Sequence, residues 1–182
     1  KKVVFAEAET YKILKAAQMV AEDGIAEPIL LGNKKKIHQL ILENNLSLEG
    51  IPIIDPKEED LKREDYGKEL YKIRPRKGLT LYDAKKLMRE RDYFGSMMVQ
   101  RGEADAFISG LTRNYPKTFK PALEIIGAHE NHTRVAGMYV ILSKRGPLFF
   151  ADTTVNINPS SEELVEITKL VHEQVKGFHM EP

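Results

Sequence analysis

Short apolar runs alternate along this chain with stretches whose apolar residues recur every three or four positions. Residues 3–6 form the first run, and Ile13, Leu14, Ala17 and Val20 then fall on one face of a predicted helix over 11–20 that Gly24 closes. Residues 28–32 are the next run. A helix over 34–43 follows, with Ile37, Leu40 and Ile41 on one face. Residues 51–55 predict a third strand, whose Pro52 suits a strand start or an edge. A charged helix over 60–73 comes next, stopped before Pro75. Strand–helix–strand repetition of this kind predicts a parallel sheet covered by helices.

The second half begins with helices over 80–90, capped by Thr80 with Asp83 three residues on, and over 92–102. Residues 104–108 read as a buried strand ending at Ser109-Gly110, and a helix over 116–126 starts on a proline. Then the pattern changes. Residues 134–142 and 147–151 are adjacent β runs around Lys144-Arg145-Gly146, either a hairpin or neighbouring strands. Ser160 and Glu163 form a capping box for a last helix over 162–175. The change near 128–133 predicts a domain boundary, with domains over 1–131 and 132–182. The second is small for an independent core.

Composition narrows the classes. Forty-two per cent hydrophobic and 30% charged residues are those of a globular chain of 182 residues, and a net charge of +1 argues against a nucleic-acid or acidic-membrane partner. The absence of cysteine excludes disulfides, thiolate metal sites and a cysteine-bound thioester. No apolar run approaches the roughly 20 residues of a membrane span. Lys1-Lys2 leads straight into a strand, so no secretory leader is expected, and the missing initiator Met suggests a piece of something longer.

Candidate chemistry concentrates at Ser109-Gly110-Leu111-Thr112-Arg113-Asn114-Tyr115-Pro116, between a strand end and a helix start. Free backbone N–H groups, the hydroxyls and Arg113 would suit a phosphate or an acyl carbonyl there. An ordinary strand–helix connection with a polar cap fits the same residues. Arg74, Arg76 and Lys77 either grip phosphates or form a solvated surface. Lys120 by itself reads as a surface lysine. Asp152, in Ala151-Asp152-Thr153-Thr154-Val155-Asn156, is either a general base or an acceptor for its own turn. His129 and His132 lack an evident third metal ligand, so no metal site is expected. Neither a Gly-x-Gly-x-x-Gly nor a Walker lysine motif is present.

Taken in order, Val3-Val4-Phe5-Ala6-Glu7, Arg76-Lys77-Gly78-Leu79-Thr80, Arg101-Gly102-Glu103-Ala104-Asp105-Ala106-Phe107-Ile108-Ser109-Gly110, Pro121-Ala122-Leu123-Glu124-Ile125-Ile126 and Ala151-Asp152-Thr153-Thr154-Val155-Asn156 resemble the phosphate acetyltransferase/butyryltransferase family over essentially the whole chain. The versions around Ser109 and Asp152 look closer to the form fused to bacterial NADP-dependent malic enzymes. The resemblance implies a three-layer α/β/α fold like that of isocitrate and isopropylmalate dehydrogenases, truncated to a first domain and the start of a second. It implies acetyl transfer between CoA and phosphate in a true family enzyme. The family's catalytic Ser-Arg pair and Asp base belong to a later segment, so no catalytic residue and no acetyltransferase activity are expected of this piece alone.

The loop contributes Ser109, Gly110, Thr112 and Arg113 as candidate ligand residues, and the resemblance adds Arg74 and Lys120, with acetyl-CoA, CoA or an acyl phosphate as the implied ligand. Lys120 stands where the family has an arginine and loses the bidentate fork. Arg113-Asn114-Tyr115 replaces a His-Thr-Thr-like sequence. Both departures favour a regulatory module of a malic enzyme over a working acetyltransferase; a scaffold serving only oligomerisation is a third reading. The parent's NADP and divalent Mg or Mn would sit on another part, with none in this one. Self-association as a homo-oligomer, through an uncovered apolar face or sheet edge, and a cytoplasmic location complete the expectations.

Overall fold

A computed structural model describes residues 1–75, 78–128, 132 and 134–181. Arg76, Lys77 and His129 of the candidate clusters, and most of the expected boundary segment at 128–133, lie outside the described residues. The chain forms two compact units, Lys1–Ile126 and Gly127–Pro182.

The first unit is built on a four-stranded parallel sheet of β1 (Lys2–Phe5), β2 (Glu27–Leu31), β3 (Ile53–Ile54) and β4 (Ala106–Ile108), in the order β3-β2-β1-β4. Successive side chains on a strand point to opposite faces, and both faces here are apolar. Phe5 and Leu30 face one way, into a core with Leu14 and Ala17 of α1 (Tyr11–Glu22) and Ile37 of α2 (Lys34–Glu43). Val4, Ile29 and Leu31 face the other way. They meet Tyr66 and Leu70 of α3 (Asp60–Ile73), Ala84 of α4 (Leu81–Leu87), Phe94 and Met97 of α5 (Arg91–Gln100) and Ile125 of α6 (Tyr115–Ile125). The unit is thus a mixed α/β fold with a parallel sheet between helices.

Two strands differ from the sequence reading. β3 has only two residues, because Pro52 brings no N–H to the ladder and contributes only its carbonyl, which accepts from Leu30 N at 2.9 Å. β4 is not buried: it lies at the sheet edge beside β1, and Ala106 and Ile108 are exposed. Its inner contact depends on Gly95. A Cβ there would collide with the Phe107 ring, so only glycine lets α5 lie this close to β4. That approach is what brings the N-terminal turn of α5 beside Ser109.

The chain runs from β1 outward through β2 to β3, then returns to the other side of β1 as β4. The strand order therefore reverses between β1 and β4, the position at which open parallel sheets leave a crevice beyond their carboxyl ends.

The second unit pairs β5 (Met138–Ser143) with β6 (Gly146–Ala151) as an antiparallel hairpin closed across Ser143 and Gly146. α7 (Ser161–Gly177) follows, and its capping box at Ser160 and Glu163 forms as the spacing predicts. Phe149 meets Phe178 beyond the helix, with ring centroids 5.6 Å apart. Tyr139, Leu142, Leu148 and Phe150 of the hairpin remain exposed. Among the described residues no helix is long and apolar enough to cross a membrane, and no group of three or more metal-ligating side chains is assembled.

Candidate functional site

The loop from β4 to α6 contains the Ser109-Gly110 turn, and Gly110 takes a positive φ of 112° there. Such a turn aims successive N–H groups at one point, which makes a concavity for an anion. The point is already occupied. The carboxylate of Glu7, just past the end of β1, accepts from Gly110 N at 2.9 Å, Leu111 N at 2.6 Å and Thr112 N at 2.8 Å, and from the Thr112 hydroxyl. Glu7 is only 2% exposed. Burial raises its pKa, but the Thr112 hydroxyl and the three N–H donors outweigh that and hold the group below the usual carboxylate range. The N–H groups expected to be free for a phosphate are therefore satisfied from within the fold.

A second buried acid organises the rest of the loop. Asp92, in the first turn of α5, accepts from Ser109 Oγ at 2.7 Å and pairs with Arg113 Nη1 at 2.9 Å. Arg113 also reaches Glu90, at 3.2 Å. Beside the loop, Ser109, Gly110 and Arg113 line a cavity of about 340 Å³ whose apolar walls are Phe107, Tyr115 and Phe119. Tyr115 and Phe119 stack, with ring centroids 5.3 Å apart.

Arg74 and Lys120 meet elsewhere, on Glu124 of α6. Arg74 Nη2 lies 3.3 Å and Lys120 Nζ 3.9 Å from Glu124 Oε1, while Tyr93 donates to Oε2 at 2.6 Å. Burial first, then this bond to Glu124, pushes the Tyr93 hydroxyl well above the usual phenol range. With about 100° per residue on a helix, Lys120 and Glu124 fall on one flank of α6 and Tyr115 and Phe119 on the other. The buried stripe of Pro121 and Ile125 runs between them. The six candidate ligand residues thus form two groups: Ser109, Gly110, Thr112 and Arg113 on the loop, and Arg74 with Lys120 around Glu124.

Sequence reading missed the three acids that do this organising. Glu7 alone left a local signal, being an acid between Ala6 and Ala8 at the end of an apolar strand. Asp92 and Glu124 sit in ordinary helical contexts.

Asp152, in the second unit, belongs to its own turn. It accepts from Gly137 N at 2.9 Å, Thr154 N at 3.2 Å, Val155 N at 3.1 Å and Asn156 N at 2.6 Å. Burial raises its pKa, but those N–H bonds win and lower it to about 2, which makes it a poor base near neutrality. Because the folded pKa is depressed, the stability contributed by Asp152 is complete above the usual carboxylate range and lost as pH falls toward 2. We expect the carboxyl carbon of Asp152 to titrate near pH 2 by NMR. A midpoint near the unperturbed value of about 3.9 would show that the turn does not close on it. His132 faces Glu173 at 3.4 Å.

The model of the phosphate acetyl/butaryl transferase family matches residues 1–182. The chain belongs to this family. It is 35% identical over 182 residues to the phosphate acetyltransferase of Helicobacter pylori, covering all of this chain and 35% of that protein. It is also 35% identical over 185 residues to the NADP-dependent malic enzyme of Escherichia coli, covering all of this chain and 24% of that protein. Among solved family structures, a phosphotransacetylase of Staphylococcus aureus superposes with a TM-score of 0.89 at 29% identity, over 100% of this chain and 54% of that one. One from Streptococcus pyogenes does so with a TM-score of 0.87 at 32% identity, over 100% and 55%. The chain therefore spans roughly a quarter to about half of the length of these relatives.

Proposed function

We propose that this chain is the phosphotransacetylase-like domain of an NADP-dependent malic enzyme and that it binds acetyl-CoA or a related acyl metabolite as a regulator. The observation that carries the reading is the cavity beside Ser109. Ser109 and Arg113, both held by Asp92, line a space whose apolar walls are Phe107, Tyr115 and Phe119. That combination suits a short acyl group attached to a polar, phosphate-bearing ligand. The stacked Tyr115 and Phe119 line the space, and Lys120 in place of an arginine lacks the bidentate fork; both support sensing over turnover.

In this reading Arg74 and Lys120 supply peripheral positive charge to the ligand, and NADP and the divalent metal belong to another part of the parent. No residue of this chain is assigned to them. The finer architecture that goes with it is the two-domain arrangement of isocitrate and isopropylmalate dehydrogenases, divided near 131/132. The exposed apolar hairpin of the second unit supports self-association, and a cytoplasmic location follows from the proposed activity.

A second reading has equal support from sequence: catalytic acetyl transfer between CoA and phosphate by the full protein. Phosphate acetyltransferases match this chain as closely as the malic enzymes do.

One experiment separates them. Malate oxidation by the full-length protein is titrated with acetyl-CoA, and acetyl-CoA formation from acetyl phosphate and CoA is assayed in parallel. We expect acetyl-CoA to shift malate oxidation and the R113A variant to need about tenfold more of it, a loss typical of one charge-assisted contact. Indifference of malate oxidation to acetyl-CoA removes the regulatory reading. Turnover of acetyl phosphate above background establishes the second.

A further inference from the structure

A separate cavity of about 440 Å³ opens at the carboxyl ends of β1, β2 and β3. Glu9 follows β1, Asn33 follows β2 and caps α2, and Asp55 and Lys57 follow β3. Arg89 and Glu90 of the link between α4 and α5, with Arg91 at the start of α5, close it. Ligands of open parallel sheets bind at this edge.

The charges lining it do not balance. Lys36, Lys57, Arg89, Arg91 and Arg113 face Glu9, Asp55 and Glu90, an excess of two positive charges. The three acids are already engaged. Glu9 Oε1 accepts from Asn33 N at 3.0 Å and lies 3.4 Å from Arg91, and its Oε2 lies 3.4 Å from Lys36. Burial raises the Glu9 pKa, but the Asn33 N–H, Arg91 and Lys36 hold it below the usual range, so it stays an anion committed to these partners. Asp55 accepts from Lys57 N at 3.0 Å and from Asn33 Nδ2 at 3.3 Å, and Glu90 is paired with Arg113. Among the described residues, Lys57 Nζ and the Arg89 guanidinium have no ion-pair partner. Two cations without an ion-pair partner in a cavity lined with excess positive charge favour an anion there. The forked guanidinium of Arg89 matches two oxygens of one phosphate.

The geometry points to a phosphate-binding pocket here: the cavity takes the phosphate or diphosphate group of a small molecule, with Arg89 and Lys57 as its principal contacts. This does not depend on the acyl-ligand reading of the Ser109 cavity. Arg113 lines both spaces. The phosphate therefore comes either from a free metabolite or from the same molecule that occupies the Ser109 cavity.

Inorganic pyrophosphate is the probe, titrated calorimetrically into the full polypeptide and its variants. We expect saturable binding at about 150 mM salt, where diffuse surface attraction is screened beyond roughly 8 Å. The K57A/R89A double variant should raise Kd by at least about tenfold, and K85A/K86A, removing two neighbouring cations, should leave it within about twofold. Thermal melts check that both variants fold; Lys57 and Arg89 are exposed. Repeating the titration with saturating acetyl-CoA separates the sources. Undiminished pyrophosphate binding identifies a free metabolite, and displacement identifies the phosphates of the acyl ligand. Absence of saturable binding to the parent protein, or an unchanged Kd in K57A/R89A, overturns the proposal. A protein indifferent to acetyl-CoA that still binds pyrophosphate through Arg89 and Lys57 refutes only the regulatory reading.

Discussion

E7A is expected to lower the stability of the first unit by about 3 kcal/mol. Glu7 is buried, and its removal strands three backbone N–H donors and the Thr112 hydroxyl at once. A single buried donor left without a partner costs roughly 1–3 kcal/mol, and water entering the vacated space recovers part of the total. For a chain of this length that loss corresponds to a melting temperature lower by about 6–12 °C. The variant carries a second signature that a packing defect would not show. Vacating the carboxylate leaves an empty anion concavity, so added acetate should raise the melting temperature of E7A and leave the parent unchanged. The same geometry sets the sign with pH. Since Glu7 is held below the usual carboxylate range, its contribution is complete above that range and disappears as pH falls through the folded value. A melting temperature within about 2 °C of the parent, or no response to acetate, would mean that the loop is held by something other than Glu7.

D92A is expected to be nearly as costly, at about 2–3 kcal/mol, and to cost ligand binding as well. Asp92 is 1% exposed and is the common partner of Ser109 and Arg113. Breaking a buried ion pair by removing one member typically costs about 3–5 kcal/mol; Arg113 is partly solvated and keeps Glu90, which puts this case below that range. The ligand consequence follows from preorganisation: a serine and an arginine held by one carboxylate present a fixed pair, and released they must be ordered by the ligand itself. Acetyl-CoA binding should weaken by about tenfold in D92A. D92N keeps an acceptor for Ser109 but loses the charge facing Arg113, so it should fall between D92A and the parent in both measurements. Equal melting temperatures for D92N and D92A would assign the stability to the ion pair alone.

Both substitutions fall on residues outside the Ser109 loop itself. A polar, glycine-containing loop between a strand and a helix looks like a vacant anion site when read along the chain. In the fold it is a filled one, and Ser109, Gly110 and Arg113 are the loop residues that line the cavity beside it. Arg74 and Lys120, the two candidates added by the family resemblance, form a distinct group on Glu124.

Much of the architecture was legible along the chain. Apolar runs three to five residues long marked β1 and β2, because a parallel strand covered on both faces has no polar side to show. Apolar recurrences every three or four residues marked α1 and α2, the capping box marked α7, and the Thr80 and Ser160 caps formed with the partners their spacing implies. Such features are decided by neighbours within one or two turns. The burial of β4 was misread because an apolar strand looks the same at the edge of a sheet as at its centre; only the order β3-β2-β1-β4 distinguishes them.

The site was decided by contacts no local pattern carries. Glu7 meets Thr112 across 105 positions, Asp92 meets Arg113 across 21, and Tyr93 meets Glu124 across 31. What the sequence alone determined was the class of fold, the helix starts and the polar strand–helix loop at Ser109, since periodicity and capping are local physics. What only the tertiary structure decided was which groups in that loop are already satisfied, because a buried donor finds its acceptor wherever the sheet order places one.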